Sequence, residues 1–132
     1  MSKQQKIDTP QAPKAIGPYS QAVAYENLVF CSGQIPLIPE KMELEIADVK
    51  VQSERVLNNL KAVLLAANSS PKQVLKTTVF LTDLKNFEVF NKVYEEFFKT
   101  HGCEIAPARS TIQISALPRA SLVEVEAIAY KS

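Results

Sequence analysis

Two stretches of the chain repeat their apolar residues at helical spacing. Between positions 49 and 67, Val49, Val56, Leu57, Leu60, Val63, Leu64 and Ala67 recur with Gln52, Glu54, Arg55, Asn58 and Lys61 among the intervening positions, which predicts an amphipathic helix. Asn68-Ser69-Ser70-Pro71 ends it. Phe87, Phe90, Val93, Tyr94, Phe97 and Phe98 mark a second helix, capped by Asp83 or Asn86 and stopped by His101-Gly102. Strands are expected at 21–25 and 28–32, joined as a hairpin through Glu26-Asn27, because asparagine tolerates the backbone such turns demand. Residues 74–82 are rich in Val, Thr, Leu and Phe and read as a buried strand. Two more follow Pro107, at 109–115 and 122–130, linked by a turn through Pro118. Pro10, Pro13 and Pro18 keep the first twenty residues extended, and 33–45, with Pro36 and Pro39, reads as a loop. The order β-β-α-β-α-β-β predicts an α+β domain, a mixed sheet with both helices on one face.

Alternation then sorts side chains. Along 109–115 it groups Arg109, Thr111, Gln113 and Ser115 against Ser110, Ile112 and Ile114. Along 122–130 it groups Leu122, Glu124, Glu126, Ile128 and Tyr130, a mixture of carboxylates and large apolar side chains. A solvated face on which Arg109 pairs with a glutamate explains the charges but leaves Leu122, Ile128 and Tyr130 in water. That predicts a second subunit over the uncovered face. An interface with one Arg and one Glu is a place to hold a small anionic substrate.

Composition narrows the function classes. A chain of 132 residues, 46% hydrophobic, suits one domain spanning 1–132. With 15 Lys+Arg against 14 Asp+Glu there is no footprint for nucleic acid or anionic lipid. Cys31 and Cys103 lack the spacing of a zinc site or redox pair, so reduced thiols and no metal are expected. The amino-terminal segment lacks an apolar signal core, and the first arginine is Arg55, so a cytoplasmic location is expected. No apolar run nears the roughly twenty residues needed to span a bilayer.

Several segments in order resemble the Rid (YjgF) family: Ala15-Ile16-Gly17-Pro18-Tyr19-Ser20-Gln21-Ala22-Val23, Ser32-Gly33-Gln34-Ile35-Pro36, and Lys76-Thr77-Thr78-Val79-Phe80-Leu81-Thr82-Asp83-Leu84. Phe90-Asn91-Lys92-Val93-Tyr94-Glu95-Glu96-Phe97-Phe98, Pro107-Ala108-Arg109-Ser110 and Val123-Glu124-Val125-Glu126-Ala127-Ile128-Ala129 complete the set. The resemblance implies a chorismate-mutase-like fold and a barrel-like homotrimer with active sites between subunits. It also implies hydrolytic deamination of 2-aminoacrylate, 2-iminopropanoate and 2-iminobutanoate to 2-keto acids and ammonia. No cofactor is implied, because a protonated imine carbon is already electrophilic and the protein supplies positioning and proton transfer.

Residue by residue, the resemblance makes Arg109 the carboxylate anchor, a structural salt bridge being the alternative. It makes Glu124 the group that activates water, with Glu126 left open on the same strand face. Tyr19 matches a proton-relaying tyrosine, Ser32 and Gly33 a loop facing the substrate carboxylate, and Asn91 a helix residue near the cleft. Thr111 stands where many relatives carry cysteine; the backbone carbonyl there is the water-holding group, so activity should survive the difference. His101, the sole histidine, reads as a helix cap, and 102–105 looks longer than usual. A ribonuclease or translation inhibitor is the rival reading, disfavoured by the balanced charge and the lone histidine. A nonenzymatic holdase or ligand-binding trimer is the other.

Overall fold

In the structure, a computed structural model, residues 3–132 are described. The elements are β1 (Gln4–Ile7), β2 (Ala22–Tyr25), β3 (Leu28–Gln34), β4 (Leu37–Ile38), β5 (Glu43–Leu44), α1 (Val49–Ala66), β6 (Val74–Leu81), α2 (Phe87–Thr100), β7 (Ala108–Gln113) and β8 (Val123–Tyr130). Short 3₁₀ turns occupy Pro71–Gln73, Leu84–Asn86 and Pro118–Ala120. Six strands form one sheet in the order β1-β2-β3-β8-β6-β7, in which only β6 and β7 run parallel. Both helices lie on one face, as the α+β reading expected. Phe90, Tyr94 and Phe98 of α2 and Val56, Leu60 and Leu64 of α1 close the core against Val29, Val79, Val125 and Ala127.

Two expectations are corrected. The proline-rich start is not merely extended, since β1 pairs antiparallel with β2 from Gln4↔Tyr25 to Ile7↔Ala22. The segment read as a loop holds the end of β3 and the small β4–β5 hairpin, registered by Leu37↔Leu44. Gln52, one of the polar positions between the apolar ones of the first helix, is fully buried. Its Nε2 donates to Glu45 O and Ile46 O, while Leu122 N donates to its Oε1, so α1 is tied by amide bonds to both loops that approach it.

The helix caps divide the expected labour. Asp83 accepts from Lys85 N at 2.9 Å and so caps the 3₁₀ turn, whereas Asn86 precedes α2 with no side-chain cap bond. His101 caps the far end, its Nδ1 2.7 Å from Phe97 O. Both cysteines are free, and burial pushes the Cys31 thiol up to about 12, which keeps it protonated and unreactive.

The opposite sheet face is uncovered. Tyr25, Leu28, Phe30, Ile112, Ile128 and Tyr130 lie on it exposed, and the register lines up Tyr25↔Leu28↔Tyr130 and Phe30↔Ile128 across three strands.

Candidate active site

Strand β8 alternates Val123, Val125, Ala127 and Ala129 toward the helices with Glu124, Glu126, Ile128 and Tyr130 toward the open face. Both glutamates therefore share a face, as alternation predicted, and both line one cavity with Gly33 of β3. The β3–β8 ladder slips between Cys31 and Gln34, an irregularity of the kind that re-aims groups beside functional sites. It brings Gly33 against Glu124: a Cβ built on Gly33 would stand 2.8 Å from Glu124 Cδ and 3.0 Å from its Oε2. Glycine is needed here for close approach to a carboxyl group.

The Glu124 carboxyl is half-buried, and its pKa is raised above the ordinary value, first by desolvation and then by the neighbouring Glu126 charge. A carboxyl so placed is poised to exchange a proton nearer neutrality. It opens into a cavity of about 540 Å³ whose wall also includes Tyr19, Ser32, Ile35, Pro118 and Arg119. The Tyr19 hydroxyl accepts from Ile16 N at 3.1 Å, which leaves its own proton to donate. Ser32 Oγ donates to Ser20 O at 2.6 Å, so toward the cavity it offers oxygen lone pairs rather than a hydrogen.

Arg109 is elsewhere. It sits on β7, the sheet edge, and is registered with Thr77 on β6, which is buried beneath α2 and bonded to Tyr94 Oη at 2.8 Å. The reading of a solvated face on which Arg109 pairs with a glutamate therefore does not hold within one chain. Edge position and helix cover explain it: the guanidinium donates to Asn91 Oδ1 at 2.8 Å and lies 4.8 Å from the Tyr94 ring centroid and 5.5 Å from that of Phe87. Weakly hydrated guanidinium stacks well on such faces. No Arg109 salt bridge occurs among the described residues, which removes the structural-pair alternative within one chain. Burial raises the Tyr94 pKa, with the Thr77 bond and the Arg109 charge acting against it.

Thr111 shares the Arg109 face, and its Oγ1 is buried without a hydrogen-bond partner among the described residues. The expected residues thus fall into two groups: Tyr19, Ser32, Gly33 and Glu124 on the open face, and Asn91, Arg109 and Thr111 on the helix side. Sequence reasoning missed the aromatic bed of Phe87 and Tyr94, which read only as helix core, and missed Arg119. His101 lines a different groove, between α1 and α2. Among the described residues no group of His, Cys, Asp and Glu is placed to hold a metal, and no helix is long and apolar enough to cross a membrane.

Comparison with known proteins agrees with this architecture. A family model described as Endoribonuclease L-PSP matches residues 9–131. The chain is 48% identical over 125 residues to a RutC family protein of Pyrococcus abyssi, covering 95% of each. It is 45% identical over 126 residues to TdcF of Escherichia coli, named as a reactive intermediate deaminase, covering 96% of each. The crystal structure of Escherichia coli TdcF with bound serine superposes with a TM-score of 0.93 at 44% identity, covering 97% of this chain and 99% of that one.

Proposed function

Because the chain belongs to the Rid (YjgF) family, we propose that it hydrolyses short 2-imino acids to 2-keto acids and ammonium. The substrates are 2-iminopropanoate, 2-iminobutanoate and, after tautomerisation, 2-aminoacrylate. One observation carries the reading: Glu124 is wedged against Gly33, half-buried, in an open cavity that Tyr19 also lines. A relative at 45% identity that is named as a reactive intermediate deaminase supports it.

The chemistry needs water, a base and an anchor. As carboxylate, Glu124 accepts a proton from water while the C2–O bond forms and the C=N double bond opens onto nitrogen. The proton passes from Glu124 to that nitrogen, which becomes an ammonium leaving group. C–N cleavage then forms the keto group, and the hydroxyl proton goes to the departing ammonia. One water is consumed, and charge is conserved between iminium and ammonium. Tyr19 relays protons at the mouth, and the Gly33 backbone lies close enough to line the substrate.

The substrate carboxylate belongs to Arg109, whose planar fork makes two parallel bonds. Within one chain it faces away from Glu124, which supports the homotrimer that the family resemblance implies, with Arg109 on the β7 edge of one protomer entering the Glu124 cavity of its neighbour. The row of exposed apolar residues from Tyr25 to Tyr130 on the open face favours such an assembly. The protein acts in the cytoplasm, where pyridoxal-phosphate enzymes release these imines. The family model's endoribonuclease description gains no support from the cavity, and His101 is committed to Phe97 O in another groove.

The test is coupled deamination. A threonine dehydratase supplies 2-iminobutanoate, and purified protein is expected to speed 2-oxobutanoate release over buffer. Equal rates with and without it would defeat the reading.

A further inference from the structure

The turn from β7 to β8 runs Leu117-Pro118-Arg119-Ala120-Ser121. Arg119 and Ala120 both lie in the left-handed region, at φ 60° and 58°. Consecutive residues bearing a Cβ are disfavoured there and persist where their surroundings fix them. Here Ala120 N donates to Leu117 O at 3.2 Å and Ser121 Oγ to Pro118 O at 2.7 Å. Met42, in the turn of the β4–β5 hairpin, is left-handed as well, at φ 55°, and its carbonyl accepts from the Arg119 guanidinium at 3.3 Å. Two strained turns are thus joined through one guanidinium on the rim of the Glu124 cavity. Among the described residues Arg119 forms no salt bridge, although Glu124 and Glu126 line the same cavity. Most of its five N–H groups remain to bind something else.

We propose that Arg119 is a specificity-determining residue that takes the distal carboxylate of a 2-imino dicarboxylic acid. The assignment rests on the deaminase reading above. With the α-carboxylate at a neighbouring Arg109 and the reacting carbon at Glu124, the remaining substituent lies along Ile16 and Pro118 toward Arg119. The first two suit methylenes, and the guanidinium suits an anion at their end. Without that cation a second carboxylate would meet Glu124 and Glu126, with the neighbouring Arg109 already engaged by the α-carboxylate, and would be repelled. Arg119 is therefore what admits a dianionic substrate to an acidic site. Its Met42 contact and left-handed backbone hold the side chain over the mouth in advance, which lowers the entropic cost of gripping the ligand.

An amino-acid oxidase acting on glutamate or on 2-aminobutyrate generates the dicarboxylic and the alkyl imine in situ. Keto-acid release is then followed with the wild-type protein, Arg119→Met, Arg119→Lys and Arg119→Gly. The glycine variant removes the guanidinium while relaxing the turn, so loss of function in it is not loss of fold. The ratio of kcat/KM for the dicarboxylic over the alkyl imine is expected to fall about tenfold in Arg119→Met and Arg119→Gly, with partial recovery in Arg119→Lys. Acceleration of the alkyl imine alone by the wild type, or an unchanged ratio in the variants, overturns the assignment and leaves the deaminase reading standing. Acceleration of neither imine removes both.

Discussion

Arg109 and Glu124 point to opposite faces of the same sheet. Arg109 is registered with Thr77 under α2, whereas Glu124 is registered with Phe80 and lines the open cavity. If one substrate uses both, they come from different protomers. Arg109→Met and Glu124→Gln should then each be nearly inactive alone. Mixed, unfolded and refolded together at equal amounts, they should regain activity, since about a quarter of shared sites receive an intact Arg109 from one subunit and an intact Glu124 from the next. A mixture no more active than its components would place the whole site in one chain.

Gly33→Ala tests the close approach of β3 to Glu124. The nearest atoms to the new methyl belong to the flexible side chain of Glu124, Cδ at 2.8 Å and Oε2 at 3.0 Å, so the carboxyl should swing aside and the backbone should stay. The expected outcome is a fall in kcat of about tenfold or more with a melting temperature within a few degrees of wild type, because a displaced base of this kind contributes about 10² to 10⁴ in rate. Full kcat in the variant would show that the position of Glu124 against β3 is immaterial.

Much of this arrangement was legible beforehand, and the gaps have physical causes. Both helices bury a single stripe, so their periodicity was plain. β1 carries no buried face, its first three residues being exposed, and without alternation it is visible only through its pairing with β2. The grouping of Arg109 with Thr111 was correct, but alternation alone does not say which face of the sheet the helices cover. Ile112, apolar though it is, is 43% exposed on the open side. Arg119 escaped notice because a left-handed turn built without glycine leaves no compositional mark. The slip in the β3–β8 ladder that sets Gly33 against Glu124 is encoded by no strand pattern.

The raised pKa of Glu124 makes a claim about stability. A carboxyl whose folded pKa exceeds its unfolded value binds its proton more tightly in the folded state. Its contribution is complete below the unfolded value of 4.5 and is lost as pH rises through the folded one. Glu124→Gln, which is permanently neutral, should gain stability over wild type as pH rises from below 4.5 toward neutrality, and the gain should then level off. Urea unfolding of both proteins across that range measures it. A constant difference at all pH values would mean that folding does not perturb this carboxyl.

Thr111→Val asks what the hydroxyl does. Its Oγ1 is buried and unpartnered among the described residues, so an isosteric methyl should remove a desolvation cost and raise stability by about 1 kcal/mol. Deamination should stay within a few-fold of wild type if only the backbone carbonyl at this position serves the site. A large rise in KM with unchanged melting would instead place the hydroxyl on the substrate.

Arg109→Lys keeps the charge and removes the geometry. Lysine cannot make two parallel bonds to a carboxylate or lie flat over Tyr94 and Phe87, and its ammonium has no fork to share between the substrate and Asn91 Oδ1, which now receives the guanidinium at 2.8 Å. Losing one charge-assisted bond costs about 1.5–3 kcal/mol, so kcat/KM should fall roughly 10-fold to 150-fold, chiefly through KM because the α-carboxylate is held alike before and during reaction. Asn91→Ala should produce a smaller rise in KM, as the guanidinium keeps its charge and its aromatic bed but loses the acceptor that aims it. Exposed surface lysines tolerate such exchanges, so the size of the KM effect, measured with melting temperature and subunit number held at wild-type values, reports whether Arg109 touches the substrate. An Arg109→Lys protein with wild-type KM would leave the carboxylate without its anchor and require another cation at the site.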